Sequence, residues 1–200
     1  MMKTGALGIL GVVSVITVSV FPGCGSTGIG DPCTPEQEYN ADFNGFDYKQ
    51  VSVESKSFQC QTRLCLVNHF QGRVSCPYGQ DANGAALSGD KACNVPGTDS
   101  KVIGNPSDKS TLAAVQPQCT DRTSDKAVYC SCRCQNVDGK TDDGAVYCQC
   151  PDGFKCTQLV AATGIGNEGL TGGYCVKNGT QYNASNVCAQ TCDSNTHKCN

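Results

Sequence analysis

The hydrophobic residues of this chain fall into one long run and many short ones. The long run covers residues 6–21 (ALGILGVVSVITVSVF), with Lys3 as the only charge ahead of it. It predicts a signal peptide over residues 1–23 rather than a permanent membrane span, which needs about 20 apolar residues. The run is rich in Gly and β-branched residues, and no basic cluster follows it. Beyond it the pattern is short-range alternation. Val51-Ser52-Val53 alternates, and residues 64–70 (LCLVNHF) meet residues 73–78 (RVSCPY) through Gln71-Gly72, which predicts a hairpin. Residues 125–132 (DKAVYCSC) recur 18 residues on as 143–150 (DGAVYCQC). Turn signals at Asn136-Val-Asp-Gly139 and Asp142-Asp-Gly144 lie between the copies, which predicts two short hairpins. The one helical candidate spans residues 110–115. The expected fold is small, disulfide-rich and mainly β, with short hairpins and long loops cross-linked by disulfides and little helix.

Composition changes the picture because burial alone would stabilise this chain poorly. Leu, Ile, Val and Phe are sparse after residue 23, and the chain has no Trp. Few apolar residues would suggest disorder if charge were high, but charged residues make up only 16% of the chain. Cysteine is the alternative source of stability: 17 residues in all, about a tenth of the chain after the signal. Each disulfide contributes about 2–4 kcal/mol, mainly by restricting the unfolded chain. Such a scaffold implies an oxidising compartment outside the cytoplasm. The net charge of −3 and the absence of any Lys/Arg run argue against nucleic acid as a partner.

Parity separates one cysteine from the rest. Removing Cys24 from 17 leaves 16, an even number that can pair completely. The remaining cysteines form three clusters: Cys33, Cys60, Cys65, Cys76 and Cys93; then Cys119, Cys130, Cys132, Cys134, Cys148, Cys150 and Cys156; then Cys175, Cys188, Cys192 and Cys199. Counts of 5, 7 and 4 mean that two odd clusters cannot close internally, so bridges must join the clusters. Cys93 to Cys119 is the shortest such link topologically, although connectivity is not fixed by spacing. Cys130, Cys132 and Cys134 share one strand face, so each is expected to reach a different segment. The resulting division is a signal over 1–23, a flexible tether over 24–32, a cysteine-rich module over 33–93, and a linker over 94–118. A cysteine-dense repeat region (119–156), a Gly-rich loop (157–174) and a four-cysteine segment (175–200) follow.

Two resemblances add to this. Phe21-Pro22-Gly23-Cys24-Gly25-Ser26 resembles the bacterial lipobox, which implies lipidation at Cys24, with residues 25–30 (GSTGIG) as a stand-off from the bilayer. Phe21 and Pro22 depart from that pattern. Cys148-Gln-Cys150-Pro-Asp-Gly153-Phe154-Lys-Cys156 looks like the end of an EGF-like module, where C-x-C leads to a Gly-aromatic turn and a final cysteine. With Cys24, the glycine tether and the cysteine density, the whole chain resembles the cysteine-rich outer-membrane lipoproteins of gliding, predatory Gram-negative bacteria. That resemblance implies an exported, lipid-anchored protein facing the periplasm or the surface, with a protein partner in the envelope or on another cell.

Catalytic and cofactor motifs contribute little. The two histidines, His69 and His197, lie near neither a G-x-S-x-G elbow nor an H-E-x-x-H helix, since both motifs are absent. C-x-x-C is also absent, which argues against zinc ribbons, thioredoxin-type redox chemistry and haem attachment, although Cys130-Ser-Cys132-Arg-Cys134 resembles a metallothionein run. Residues 136–144 place oxygen ligands at alternate positions, but Lys140 fills a ligand slot, so a solvated turn is expected instead of a calcium loop. Gly164-Ile-Gly166-Asn-Glu-Gly169 matches a dinucleotide fingerprint, yet no helix pattern follows it. Asn178-Gly-Thr180 and Asn183-Ala-Ser185 match the glycosylation sequon and read as exposed turns. The expectation is therefore a non-enzymatic, lipid-anchored interaction or adhesion protein without metal or cofactor, cell contact or gliding being a specific case. The alternatives are a secreted binding or inhibitory factor and, behind it, an envelope enzyme using His69.

Overall fold

The computed structural model describes residues 28–81, 93–105, 108–112, 114–161, 169–185, 188, 190–193, 196 and 198–199. The signal segment, Cys24 and the first part of the tether lie outside the described residues. Among the described residues no helix is long and apolar enough to cross a membrane.

Two three-stranded antiparallel sheets carry the fold. The first has the order β1 (Val51–Glu54), β2 (Cys65–Asn68), β5 (Val128–Cys130). The second has the order β6 (Arg133–Gln135), β8 (Gly172–Lys177), β7 (Phe154–Val160). A separate hairpin joins β3 (Ile103–Asn105) to β4 (Asp108–Leu112). Among the described residues, helix is limited to a 3-10 turn over Glu36–Tyr39 and one α-turn, α1 (Ser124–Ala127). This is the mainly β, disulfide-linked class that the cysteine content and short alternations predict.

Period-two alternation sorts the first sheet into two apolar faces. Cys65, Val67, Val128 and Cys130 pack with Cys33, Cys60 and Phe70. Leu66 and Tyr129 point the other way, with Val51 and Val53, onto Tyr174, Phe154, Leu159 and Val160 of the second sheet. Tyr129 meets the Phe154 ring edge-on at 5.9 Å, and its hydroxyl accepts the Lys177 N–H at 3.0 Å. β2 is central in its sheet and buried at all four positions, as a strand covered on both faces should be.

The described cysteines form eight disulfides. Cys33–Cys65 and Cys76–Cys93 close within the first cluster, and Cys60–Cys130 ties it to the second. Cys132–Cys148 and Cys134–Cys156 close within the second, while Cys119–Cys188 and Cys150–Cys175 reach the third, which closes Cys192–Cys199 internally. The clusters are joined as their odd counts require, and Cys130, Cys132 and Cys134 reach three different segments. The specific link expected between Cys93 and Cys119 does not form. Instead Val102 and Val115 pack on the Cys76–Cys93 bridge, so the intervening chain folds back on the first module.

Several local expectations change, the first because β2 has no free edge. With β1 on one side and β5 on the other, residues 73–78 cannot pair with residues 64–70. They coil into a tight turn of their own, with the Cys76 N–H donating to the Arg73 carbonyl, while Gly72 pairs with Phe46. Gly72 has φ of +83°, and a Cβ there would stand 2.2 Å from the Gln116 carbonyl oxygen, so only glycine fits. The candidate helix at 110–115 is too short to hold itself and is replaced by β4, with Val115 bridging to Gln80. Of the repeat, the first copy forms α1 and β5, whereas the second forms no strand and leaves Val146 96% exposed. Only the first copy has β2 beside it.

Three stretches read as connectors are also structured. Residues 28–32 of the tether run along the outer edge of β5, with the Gly30 N–H donating to the Cys130 carbonyl and the Cys130 N–H to that of Asp31. This covers an edge that would otherwise be open to another strand. The 94–118 linker carries the β3–β4 hairpin, and β7 and β8 occupy both ends of the 157–174 loop.

Candidate functional site

Among the described residues, the most exposed aromatic group sits on the loop between β1 and β2. Residues 55–63 (SKSFQCQTR) are polar apart from Phe58 and Cys60, so burial cannot hold them. Cys60 does so through its bridge to Cys130, and the Ser57 N–H donates to the Arg63 carbonyl at 3.0 Å while the Arg63 N–H donates to that of Cys60 at 2.9 Å. Arg63 takes φ of +63°, a conformation costing about 1–3 kcal/mol for a side chain of this size. The result is that its guanidinium lies 4.4 Å from the Phe58 ring centroid, although Phe58 remains 87% exposed. A strained cation thus braces an aromatic ring that the fold leaves in solvent.

Beside this loop stands the 3-10 turn with Tyr39, itself 50% exposed. Gln59 holds the two walls together. Its carbonyl accepts the Thr34 N–H at 3.0 Å, and its amide donates to the Thr34 carbonyl at 2.8 Å and to the Tyr39 hydroxyl at 3.5 Å. Across the base, the Glu36 N–H donates to a Glu54 carboxylate oxygen at 3.0 Å. Between the walls lies a cleft of about 450 Å³ lined by Tyr39, Phe58, Arg63, Lys56, Glu36 and Glu54 among others. A shallower depression continues on the far side of Tyr39 beside Gln37 and Asn40. Two aromatic rings, carboxylates, a guanidinium, an ammonium and an amide are groups suited to recognition.

The residues singled out by sequence lie elsewhere. His69 adopts φ of +52°, its Nδ1 donates to the Tyr48 carbonyl at 3.0 Å, and its ring stacks on Tyr182 at 3.6 Å. Arg122 fixes this corner, donating Nε to the His69 carbonyl at 2.7 Å and Nη1 to that of Thr180 at 2.8 Å. His69 is thereby packed as a structural ring. Burial holds its imidazolium below the ordinary 6.5, with nearby Arg122 adding to the shift and the Tyr48 carbonyl opposing it. Just below that pH the folded protein binds fewer protons than the unfolded chain. Stability is then complete above 6.5 and falls as pH drops towards the lowered folded value. Calorimetry from about pH 7 to about pH 5 should show Tm falling, and falling less in His69→Gln; equal slopes would contradict this. His197 lies outside the described residues.

In the acidic turn at 136–144, Asn136 and Asp143 hold their side-chain oxygens on internal partners. Asn136 Oδ1 accepts the N–H groups of Asp138 at 3.0 Å and Lys140 at 2.8 Å. The Tyr147 hydroxyl, the Asn136 amide and the Ala145 N–H hold the Asp143 carboxyl down to about 2. Sulfur atoms of neighbouring disulfides also come together, as at Cys132, Cys148 and Cys175, but a bonded sulfur carries no thiolate charge for a metal. The segment after Gly169 is strand β8, so the fingerprint-like glycines meet no helix N-terminus; residues 164–168 lie outside the described residues. Asn178 sits exposed in a turn, and Asn183 is exposed just ahead of one, its Oδ1 accepting the Ser185 N–H at 2.9 Å.

Phe58, Arg63 and Tyr39 were not signalled by any motif. The available clue was a lone aromatic residue in an otherwise polar loop that contains a cysteine. Compared with known proteins, the chain matches no family model, no curated protein and no solved structure.

Proposed function

We propose that this protein is a lipid-anchored, surface-facing interaction module of a bacterial envelope, acting by binding rather than by catalysis. The observation that carries this reading is Phe58, 87% exposed yet braced by Arg63 and a disulfide-anchored loop. Rigid exposed aromatic and Arg side chains are the usual energetic centres of contact surfaces. Lipidation at Cys24 would hold the module at the outer membrane and present it to a partner in the envelope or on another cell. Cell contact or gliding is the specific process this would serve.

Two measurements test the reading. Cys24→Ser should release the protein into the medium or stall it as uncleaved precursor; fractionation with the outer membrane as before would remove the anchor. Wild-type protein found free in the medium without an acyl group would make it a released binding factor. Phe58→Ala should weaken attachment of the purified protein to cell surfaces about 30-fold, a 2 kcal/mol anchor, without lowering Tm. Unchanged attachment would discard the Phe58 cleft as the contact surface.

A further inference from the structure

We infer that the cleft between Tyr39 and Phe58 is a saccharide site, taking the pyranose rings of a surface glycan; this rests on the cleft being the contact surface. The electrostatics of its lining discriminate among ligands. Glu36 and Glu54 set two negative charges against the two positive charges of Lys56 and Arg63, so the lining is neutral overall. Among the described residues none of the four is in an ion pair; one Glu54 oxygen takes the Glu36 N–H, and Arg63 rests on the Phe58 ring. A charged ligand would meet both signs at close range and gain little. An apolar side chain would strip water from four charges without pairing them, which is costly. A sugar hydroxyl avoids both problems because it donates and accepts. Neighbouring hydroxyls on one ring can donate to a carboxylate and accept from the guanidinium or ammonium.

The aromatic residues supply the other half of the recognition. The negative face of an aromatic ring attracts the polarised C–H bonds that line one side of a pyranose. Phe58 is 87% exposed with Arg63 on one side of its ring, and Tyr39, 50% exposed, adds a second ring to the same cleft. The Tyr39 oxygen already accepts from Gln59, so its own proton is directed elsewhere and can serve a ligand. A volume of about 450 Å³ lies within the range of small-ligand pockets. The Cys60 bridge and the Ser57–Arg63 hydrogen bond fix the walls before binding, so little ordering remains to oppose it.

The test uses the full processed protein, first on surfaces carrying maltotriose, cellotriose, chitotriose or mannotriose. Retention on at least one is expected, with Phe58→Ala about 30-fold weaker and equal in Tm. Retention on none overturns the saccharide assignment. Beads coated with the protein are then offered to cells treated with mild periodate, which cleaves vicinal diols, or with protease. Attachment lost to periodate supports the site, the protease arm then telling a glycoprotein from a polysaccharide or glycolipid. Attachment that depends on Phe58 but survives periodate overturns the saccharide and leaves the interaction reading standing. Attachment that never depends on Phe58 overturns both.

Discussion

Glu38→Ala is expected to lower the unfolding free energy by about 3–5 kcal/mol, since two backbone donors lose a charged acceptor and a buried cation loses the charge that offsets its burial. Glu38 and Arg73 are both fully buried. The Glu38 carboxylate accepts the N–H groups of Val74 and Ser75, the latter at 2.9 Å, and so ties the 3-10 turn to the 73–76 turn. Arg73 returns the link, donating to the Glu38 carbonyl and to that of Phe43 at 2.7 Å, with its guanidinium over the Phe43 ring. Burial pulls the Arg73 pKa below its usual value, and the Glu38 charge opposes that pull. Removing Glu38 therefore orphans two backbone donors and takes away the charge that offsets burial of the cation, whose own hydrogen bonds to backbone carbonyls remain. Guanidinium denaturation with disulfides intact measures the loss, and a change under about 1 kcal/mol would show that the pair is not a structural unit. Glu38→Met combined with Arg73→Met should lose less than the two single changes added, because neither then strands a charge.

Neither residue of that pair stood out in the sequence, and the reason is physical. What the sequence exposes is whatever depends on counting or on local spacing. Parity and odd clusters anticipated that bridges would join the first cysteine cluster to the later ones, because covalent pairing obeys arithmetic. The shared face of Cys130, Cys132 and Cys134 anticipated three separate destinations, because a strand repeats every two residues. By contrast, Cys93 bonds Cys76, and Cys119 bonds Cys188. Proximity along the chain ranks loop-closure entropy alone, whereas the folded path of residues 94–118 decides which sulfurs meet. The failure of the 64–78 hairpin has the same origin. Gln71-Gly72 is a good turn, but the edge of β2 is taken by β5, some 60 residues away.

The repeat makes the point most directly. Asp125–Cys132 and Asp143–Cys150 are near-identical locally, yet only the first contains a strand. Tyr129 is buried between the two sheets, while Tyr147 lies at the surface with its hydroxyl on Asp143 and Arg133 over its ring. Local preference is equal in the two copies; tertiary context is not. The Phe58 cleft was hidden for a related reason. Its walls come from residues 34–39 and 54–63, joined by the Gln59 amide and the Glu54 carboxylate, while Cys60–Cys130 anchors the loop to β5.

That dependence sets the second large effect. Replacing Cys60 and Cys130 by serine should cost about 4 kcal/mol, since the bridge closes a separation of 70 residues. Replacing Cys192 and Cys199, separated by only 7, should cost about 2 kcal/mol on the same chain-entropy estimate. Guanidinium denaturation of the two double variants tests the order, and an equal or larger loss at Cys192–Cys199 would defeat it. The functional consequence is sharper than the difference in stability. Cys60–Cys130 is the one described bridge between the first cluster and the rest, and it anchors the loop that carries Phe58. Without it, nothing covalent opposes relaxation of the left-handed Arg63, and the guanidinium can leave the Phe58 ring. Trypsin should then cut after Lys56 or Arg63 in a protein that is still folded, and binding through the cleft should fall as far as in Phe58→Ala. If binding survives while stability drops, the loop is held by its hydrogen bonds to Thr34 and Tyr39, and the disulfide serves the fold alone.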